Sequence, residues 1–192
     1  DEIHADLLYK GITFTPFATL SEEVARNTVV CTAPSKTFNL AGLHTSNIII
    51  ADPGLRRRFQ QTLNSCGMGK WADPFGVVAC ETAYREGEDW LDQVMAYIEG
   101  NLDYLQDFIR RQIPGIHVIR PEGTYLVWLD CRQLGLDQWA LKRLMLKEAR
   151  IFADEGFIFG PEGEGFERIN IACPRSILND ALERIRRAVG GV

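Results

Sequence analysis

Histidine and methionine are scarce in this chain, with three of each among 192 residues. The histidines, His4, His44 and His117, are too scattered to suggest a metal site. The five cysteines, Cys31, Cys66, Cys80, Cys131 and Cys173, form no C-x-x-C pair, and their number is odd. That suits reduced, mostly buried thiols in the cytoplasm better than disulfides or zinc. No apolar run approaches the ~20 residues of a membrane-spanning helix, so no membrane partner is expected. Excess positive charge is also missing. The net charge of −5 argues against nucleic acid as a main partner. The one dense basic run, Arg56-Arg57-Arg58, lies in a predicted helix and reads as a solvated face, with phosphate or RNA binding as the alternative. Neither a Walker loop nor a Ser-His-Asp order is present.

What is present is a globular composition, 46% apolar, in a chain long enough for one good core or one core and a small satellite. The first residue, Asp1, is already part of a motif, and the expectation is a fragment whose N-terminal portion is absent. Asp1 to Tyr9 reads as a strand end running into a loop, and Ser21 opens a short helix with Glu22 and Glu23 in its first turn. Thr28–Thr32 and Ser46–Ala51 read as buried strands. Asp52 caps a helix with Pro53 at its first position, running to about Ser65. A second helix covers Pro74–Tyr84. The longest element follows: Trp90, Leu91, Val94, Ile98, Leu102, Leu105 and Ile109 recur at helical spacing from about Glu88 to Gln112, and Pro114-Gly115 stops them. Beyond it, His117–Ile119, Tyr125–Leu129 and Phe166–Ala172 read as strands. Asp137 caps a helix with Leu141, Leu144 and Met145 on its apolar face. Ile151-Phe152 and Phe157–Phe159 are short apolar runs. A last amphipathic helix opens at Pro174 and Ser176 and carries Ile177, Leu178, Ala181, Ile185 and Val189. Strands alternating with helices in the tail point to an α/β fold with a small α/β layer domain at the end.

Four polar positions could carry chemistry. Lys36 is a lone lysine among small and apolar residues, Thr32-Ala33-Pro34-Ser35-Lys36-Thr37-Phe38. A lysine there either snorkels to water or has its pKa lowered for work such as Schiff-base formation. Asp1 and His4 cluster near the start, as part of a polar loop or of a site. Arg168 alternates with Ile169 and Ile171 on the opposite strand face. It suits a bidentate grip on a carboxylate, or a structural ion pair with Glu167 or Glu164.

The strings Asp1-Glu2-Ile3-His4, Ala33-Pro34-Ser35-Lys36-Thr37-Phe38-Asn39 and Arg168-Ile169-Asn170-Ile171-Ala172-Cys173-Pro174-Arg175-Ser176 resemble, in order, the fold-type I pyridoxal-phosphate enzymes. Within the class I/II aminotransferases they are most similar to the MalY/PatB-type cystathionine β-lyase (C–S lyase) branch. The resemblance implies residues 1–88 as the C-terminal part of a large cofactor-binding domain, 89–115 as a long linking helix and 116–192 as a small α/β (α+β) C-terminal domain. It implies that Lys36 holds pyridoxal 5'-phosphate and removes the substrate α-proton. Asp1 would face the pyridine nitrogen, His4 would lie near the phenolate oxygen, Ser35 would help bind the phosphate, and Arg168 would hold the α-carboxylate of an amino-acid substrate. It also implies a homodimer and C–S β-elimination, with transamination or a non-catalytic binding role on the same fold as alternatives. Two positions depart from the wider pattern. His44 stands eight residues after the lysine, where many aminotransferases carry a phosphate-binding arginine, and Ala33 stands where a serine is frequent. The family's glycine-rich phosphate turn and ring-stacking aromatic match nothing in the chain, so the 192 residues alone are expected to be inactive.

Overall fold

A computed structural model describes residues 1–69 and 73–191. The chain divides into two compact units, Asp1–Val94 and Met95–Val192.

In the first unit, Ser21 caps α1 (Glu22–Arg26) by accepting from the Val24 N–H. β1 (Val29–Thr32) runs into a one-turn helix, α2 (Pro34–Thr37), with Pro34 in its first turn. β2 (Asn47–Ile50) returns antiparallel to β1 and pairs Val29 with Ile50 and Thr32 with Asn47. Asp52 accepts from the Leu55 N–H at 2.7 Å to cap α3 (Pro53–Ser65), and Asp73 caps α4 (Pro74–Glu86) through the Phe75 N–H. Leu7, Tyr9, Val30, Ala33 and Ile50 are buried. The second expected buried strand is a half-truth: Ile48 and Ile49 are exposed. Among the described residues β1 is the one strand hydrogen-bonded to β2, whose Ile50 alone of the three isoleucines is buried. Arg56, Arg57 and Arg58 lie on the exposed side of α3, as a solvated face requires.

α5 (Glu88–Gln112) begins in the first unit and continues into the second. In the second unit its Ile98, Leu102, Leu105 and Ile109 are buried. β3 (His117–Ile119) and β4 (Leu126–Asp130) follow, then α6 (Gln138–Arg143), capped by Asp137 and continued as a π-helical turn over Leu144–Glu148. β5 (Asp154–Glu155) is only two residues long, β6 is Phe166–Asn170, and α7 (Arg175–Val189) closes the unit. The sheet order is β3-β4-β6-β5 with every neighbouring pair antiparallel. One face of β4 and β6 presents Val127, Leu129 and Glu167, all buried, towards a core that also holds Leu141, Leu144, Met145, Leu178, Leu182 and Ile185. The run Phe157–Phe159 belongs to a 3-10 turn, and Phe152 and Ile177 are exposed, not core. No helix among the described residues is long and apolar enough to cross a membrane.

Candidate active site

The segment Asp1–Asp6 folds as consecutive turns, with Ala5 N–H donating to Glu2 O and Leu7 N–H to His4 O, both at 3.0 Å. The turns cover residues 3–6, as the loop part of the expectation requires. Two bonds tie it to the lysine-bearing region. Glu2 N–H donates to Cys31 O on β1 at 2.8 Å, and the Thr37 hydroxyl donates to Asp6 Oδ2 at 2.8 Å. Thr37 is 2% exposed, while its neighbour Lys36 is exposed and makes no ion pair among the described residues. A buried residue thus anchors the single turn of α2, and the next side chain is presented outward.

Asp1 is exposed, and its Oδ1 accepts from the Ile3 N–H at 3.2 Å. His4 and Ser35 are half-buried, and His44 is exposed in a left-handed conformation that ends the 3-10 turn Ala41–Leu43. Behind α2, Phe38 meets the Tyr84 ring edge-on at 5.5 Å and lies 6.0 Å from Trp90. Gly87 makes this approach possible, because a Cβ there would stand 2.5 Å from the Phe38 ring. Burial, then the Asp6 carboxylate and Cys80, push the Tyr84 hydroxyl above its ordinary pKa.

Arg168 belongs to the second unit. It lies on the solvent-side face of β6, across from Trp128 on β4 and Asp154 on β5. Its Nε and Nη2 both donate to Asp154 Oδ2, at 3.1 and 2.7 Å, and its guanidinium lies 4.4 Å from the Phe159 ring centroid. The ion pair is therefore with Asp154, not with Glu167 or Glu164. Glu167 points to the opposite face, and Asp154 reaches Arg168 through strand pairing that sequence proximity does not reveal. On that buried face Glu167 is 2% exposed, and no hydrogen bond satisfies its Oε2 among the described residues. Burial first, and then Glu155, push its carboxyl up to about 7, against the pull of Lys142. Lys142 pairs with Glu155 at 2.8 Å.

The Cys-Pro-Arg-Ser string has a structural role that its residue types alone did not disclose. Asn101 on α5 is fully buried and donates to Ile171 O and Cys173 O at 2.8 and 2.9 Å. Arg175 Nε donates back to Asn101 Oδ1 at 2.7 Å, and its backbone N–H donates to the Tyr97 hydroxyl at 2.8 Å. The strand that carries Arg168 is thereby fixed to the long helix at its exit. A polar residue inside the apolar stripe Ile98–Leu102–Leu105 was the available signal.

The geometry places Asp1, His4, Ser35 and Lys36 in one unit, on segments joined by two hydrogen bonds, and Arg168 in the other. Comparison with known proteins gives this arrangement a context. The chain is 42% identical over 189 residues to cystathionine beta-lyase PatB of Bacillus subtilis (strain 168), covering 98% of this chain and 49% of the relative. It is 31% identical to protein MalY of Escherichia coli (strain K12), over all of this chain and 48% of that protein. Cystalysin from Treponema denticola, whose crystal structure contains a pyridoxal 5'-phosphate cofactor, superposes with a TM-score of 0.95 at 43% identity, covering 100% of this chain and 48% of that one. An aspartate aminotransferase of Pyrococcus horikoshii is more distant, at 27% identity. The chain thus spans about half the length of the relatives it matches. The profile described as aminotransferase class I and II matches residues 1–185, and the chain belongs to that family.

Proposed function

We propose that this chain is part of a pyridoxal-phosphate enzyme that cleaves the carbon–sulfur bond of cystathionine-like amino acids by α,β-elimination, giving a thiol, pyruvate and ammonia. The observation that carries the reading is the double tether, Glu2 to Cys31 and Asp6 to Thr37, which joins the Asp1 segment to the Lys36 turn. The donor set fits the cofactor: a primary amine without an ion pair among the described residues for an aldehyde, a carboxylate for a pyridine nitrogen, and a hydroxyl for a phosphate oxygen. Among the curated relatives, those named as cystathionine β-lyases are 32–42% identical and those named as aminotransferases 23–27%, which supports the lyase reading.

In this reading Lys36 would hold the cofactor covalently, Asp1 would serve its ring nitrogen, His4 its phenolate oxygen and Ser35 its phosphate. The bound cofactor supplies a sink for the electron pair left at the substrate Cα. Arg168 holds the α-carboxylate, which fixes the Cα–H bond for cleavage. The Lys36 amine, set free when the substrate amine takes its place, would accept the proton from Cα, and the thiolate would leave Cβ with its bonding pair. Residues 1–88 act as part of the larger domain, 89–115 as the linking helix and 116–192 as the smaller domain. The working protein is a cytoplasmic homodimer, and the 192 residues alone do not turn over substrate.

The family match keeps transamination as the second reading, since removal of the α-proton is common to both. Incubating the full-length protein with cystathionine separates them. Pyruvate and thiol formed without added keto acid are expected, whereas dependence on a keto acceptor would overturn the lyase assignment. Lys36→Ala is expected to abolish the absorption band of the covalently held cofactor, and an unchanged spectrum would remove Lys36 from its role.

A further inference from the structure

The grip of Asp154 on Arg168 uses only one edge of the guanidinium. Nε and Nη2 both turn to a single oxygen, Asp154 Oδ2. Nη1 makes no hydrogen bond among the described residues. A guanidinium is a planar fork with five N–H donors. Occupying its Nε side leaves the Nη1–Nη2 end, an edge that can also meet a carboxylate in two parallel hydrogen bonds. The Phe159 ring fixes the plane from one face, with the guanidinium carbon 4.4 Å from its centroid. The pair is not needed to neutralise buried charge, because the Asp154 side chain is 42% exposed and that of Arg168 25%. Nor does β5 owe its place to this pair alone. The adjoining residue, Glu155, is already held by Lys142 at 2.8 Å. What the pair does accomplish is to order a long side chain before any ligand arrives, which lowers the cost of ordering it on binding.

We infer that Asp154 is a positioning residue for the amino-acid substrate: it holds the Nε–Nη2 edge of Arg168 so that the Nη1–Nη2 edge is set to receive the α-carboxylate. The inference rests on the proposed role of Arg168 and deepens it, assigning the second carboxylate on that arginine to orientation and not to competition. It also states a chemical requirement. The ligand must carry a carboxylate small enough to reach the end of the fork while Asp154 stays in place. A ligand without a carboxylate gains nothing from Asp154.

The test uses the full-length, cofactor-loaded protein and two probes measured by calorimetry. One is α-methyl-L-serine, which has no α-proton to lose. The other is 2-aminopropan-1-ol, its counterpart without the carboxylate. Asp154→Ala is expected to weaken binding of α-methyl-L-serine about tenfold, the size expected when one rotamer-rich side chain must be ordered on binding. Binding of the amino alcohol and the melting temperature are expected to stay as in the parent. Asp154→Asn, which keeps an acceptor oxygen for the same two donors, is expected to recover part of the loss. Unchanged affinity for α-methyl-L-serine in Asp154→Ala overturns the inference. Tighter binding also overturns it, because Asp154 would then compete with the ligand. Arg168→Lys separates the two levels. If it leaves α-methyl-L-serine binding intact, the role of Arg168 fails and the inference falls with it. If it weakens binding and Asp154→Ala does not, only the positioning role fails.

Discussion

Glu167 and Arg168 are adjacent in sequence and opposite in physical circumstance. Arg168 faces outward and is paired, whereas Glu167 faces the core with Oε2 unsatisfied among the described residues. The groups acting on Glu167 from the packed elements are Lys142 on α6 and Glu155 and Asp154 on β5. Two acids and burial outweigh one lysine, so the folded-state carboxyl titrates at about 7 and not near its ordinary 4.5. The sign follows from linkage: between these values the folded protein keeps a proton that the unfolded chain has released. The stabilisation is therefore complete below about 4.5 and is lost as pH rises through 7. Urea denaturation of Glu167→Gln should show a flatter dependence between pH 5.5 and 8 than the parent, with a difference on the order of 1–3 kcal/mol. Equal slopes in the two proteins would refute the assignment. The cysteines form a second residue-scale test. All five are free, but only Cys80 and Cys131 are buried, Cys31 and Cys173 are half-buried and Cys66 is exposed, so the expectation of mostly buried thiols is only partly met. Burial first, then Glu167 and Asp130, push the Cys131 thiol well above its usual range, which suppresses the reactive thiolate. A disulfide reagent should modify Cys66 first and reach Cys131 only on unfolding. Loss of the fast phase in Cys66→Ser checks the order.

At the scale of elements, what was legible in the sequence is what local chemistry dictates. α5 runs over Glu88–Gln112 as its seven apolar positions required, and α3 starts where Asp52 and Pro53 place a cap and a first turn. β4 starts one residue late, at Leu126, because Thr124 adopts a positive φ and its hydroxyl oxygen accepts from the Leu126 N–H. The strand carrying Arg168 was legible from its alternation, over Phe166–Asn170. The partners of these residues were not legible. Asp154 lies 14 residues from Arg168 on a strand too short to show alternation, and Asp6 reaches Thr37 across 31 residues. Such contacts depend on pairing and packing, which periodicity does not encode. Asn101 is the element-scale case with the largest expected effect. It satisfies two carbonyls beyond β6 and the Arg175 side chain from inside α5. Asn101→Ala leaves these buried partners unsatisfied and should cost about 2–4 kcal/mol, from the price of each orphaned polar group. Thermal and urea denaturation would measure it, and a loss below about 0.5 kcal/mol, the size of an ordinary surface change, would contradict the clamp.

At the scale of the whole molecule, each unit covers its own core but leaves large apolar side chains in solvent. In the first unit these include Ile49 on β2 and Phe75 and Val78 on α4, at 56%, 77% and 62% exposure. β2 also has an edge that no described strand pairs. Single exposed apolar residues are ordinary, but an open strand edge with exposed isoleucines is a template for association. The net charge of −5 opposes that association only weakly at physiological ionic strength, because charges further apart than about 8 Å are screened. The 192-residue chain by itself is therefore expected to self-associate as its concentration rises through the micromolar range, and to bind a hydrophobic dye. A variant with Ile49→Lys and Phe75→Lys puts charges on the strand and on the helix without touching a buried side chain. It should sediment closer to the monomer, bind less dye and keep its melting temperature. A parent chain that sediments as a monomer across the whole range would show that these exposed side chains and the open edge are too weak to drive association. A variant that associates as strongly as the parent would instead place the sticky surface elsewhere, with Phe152 of the second unit, 87% exposed, as the next residue to charge.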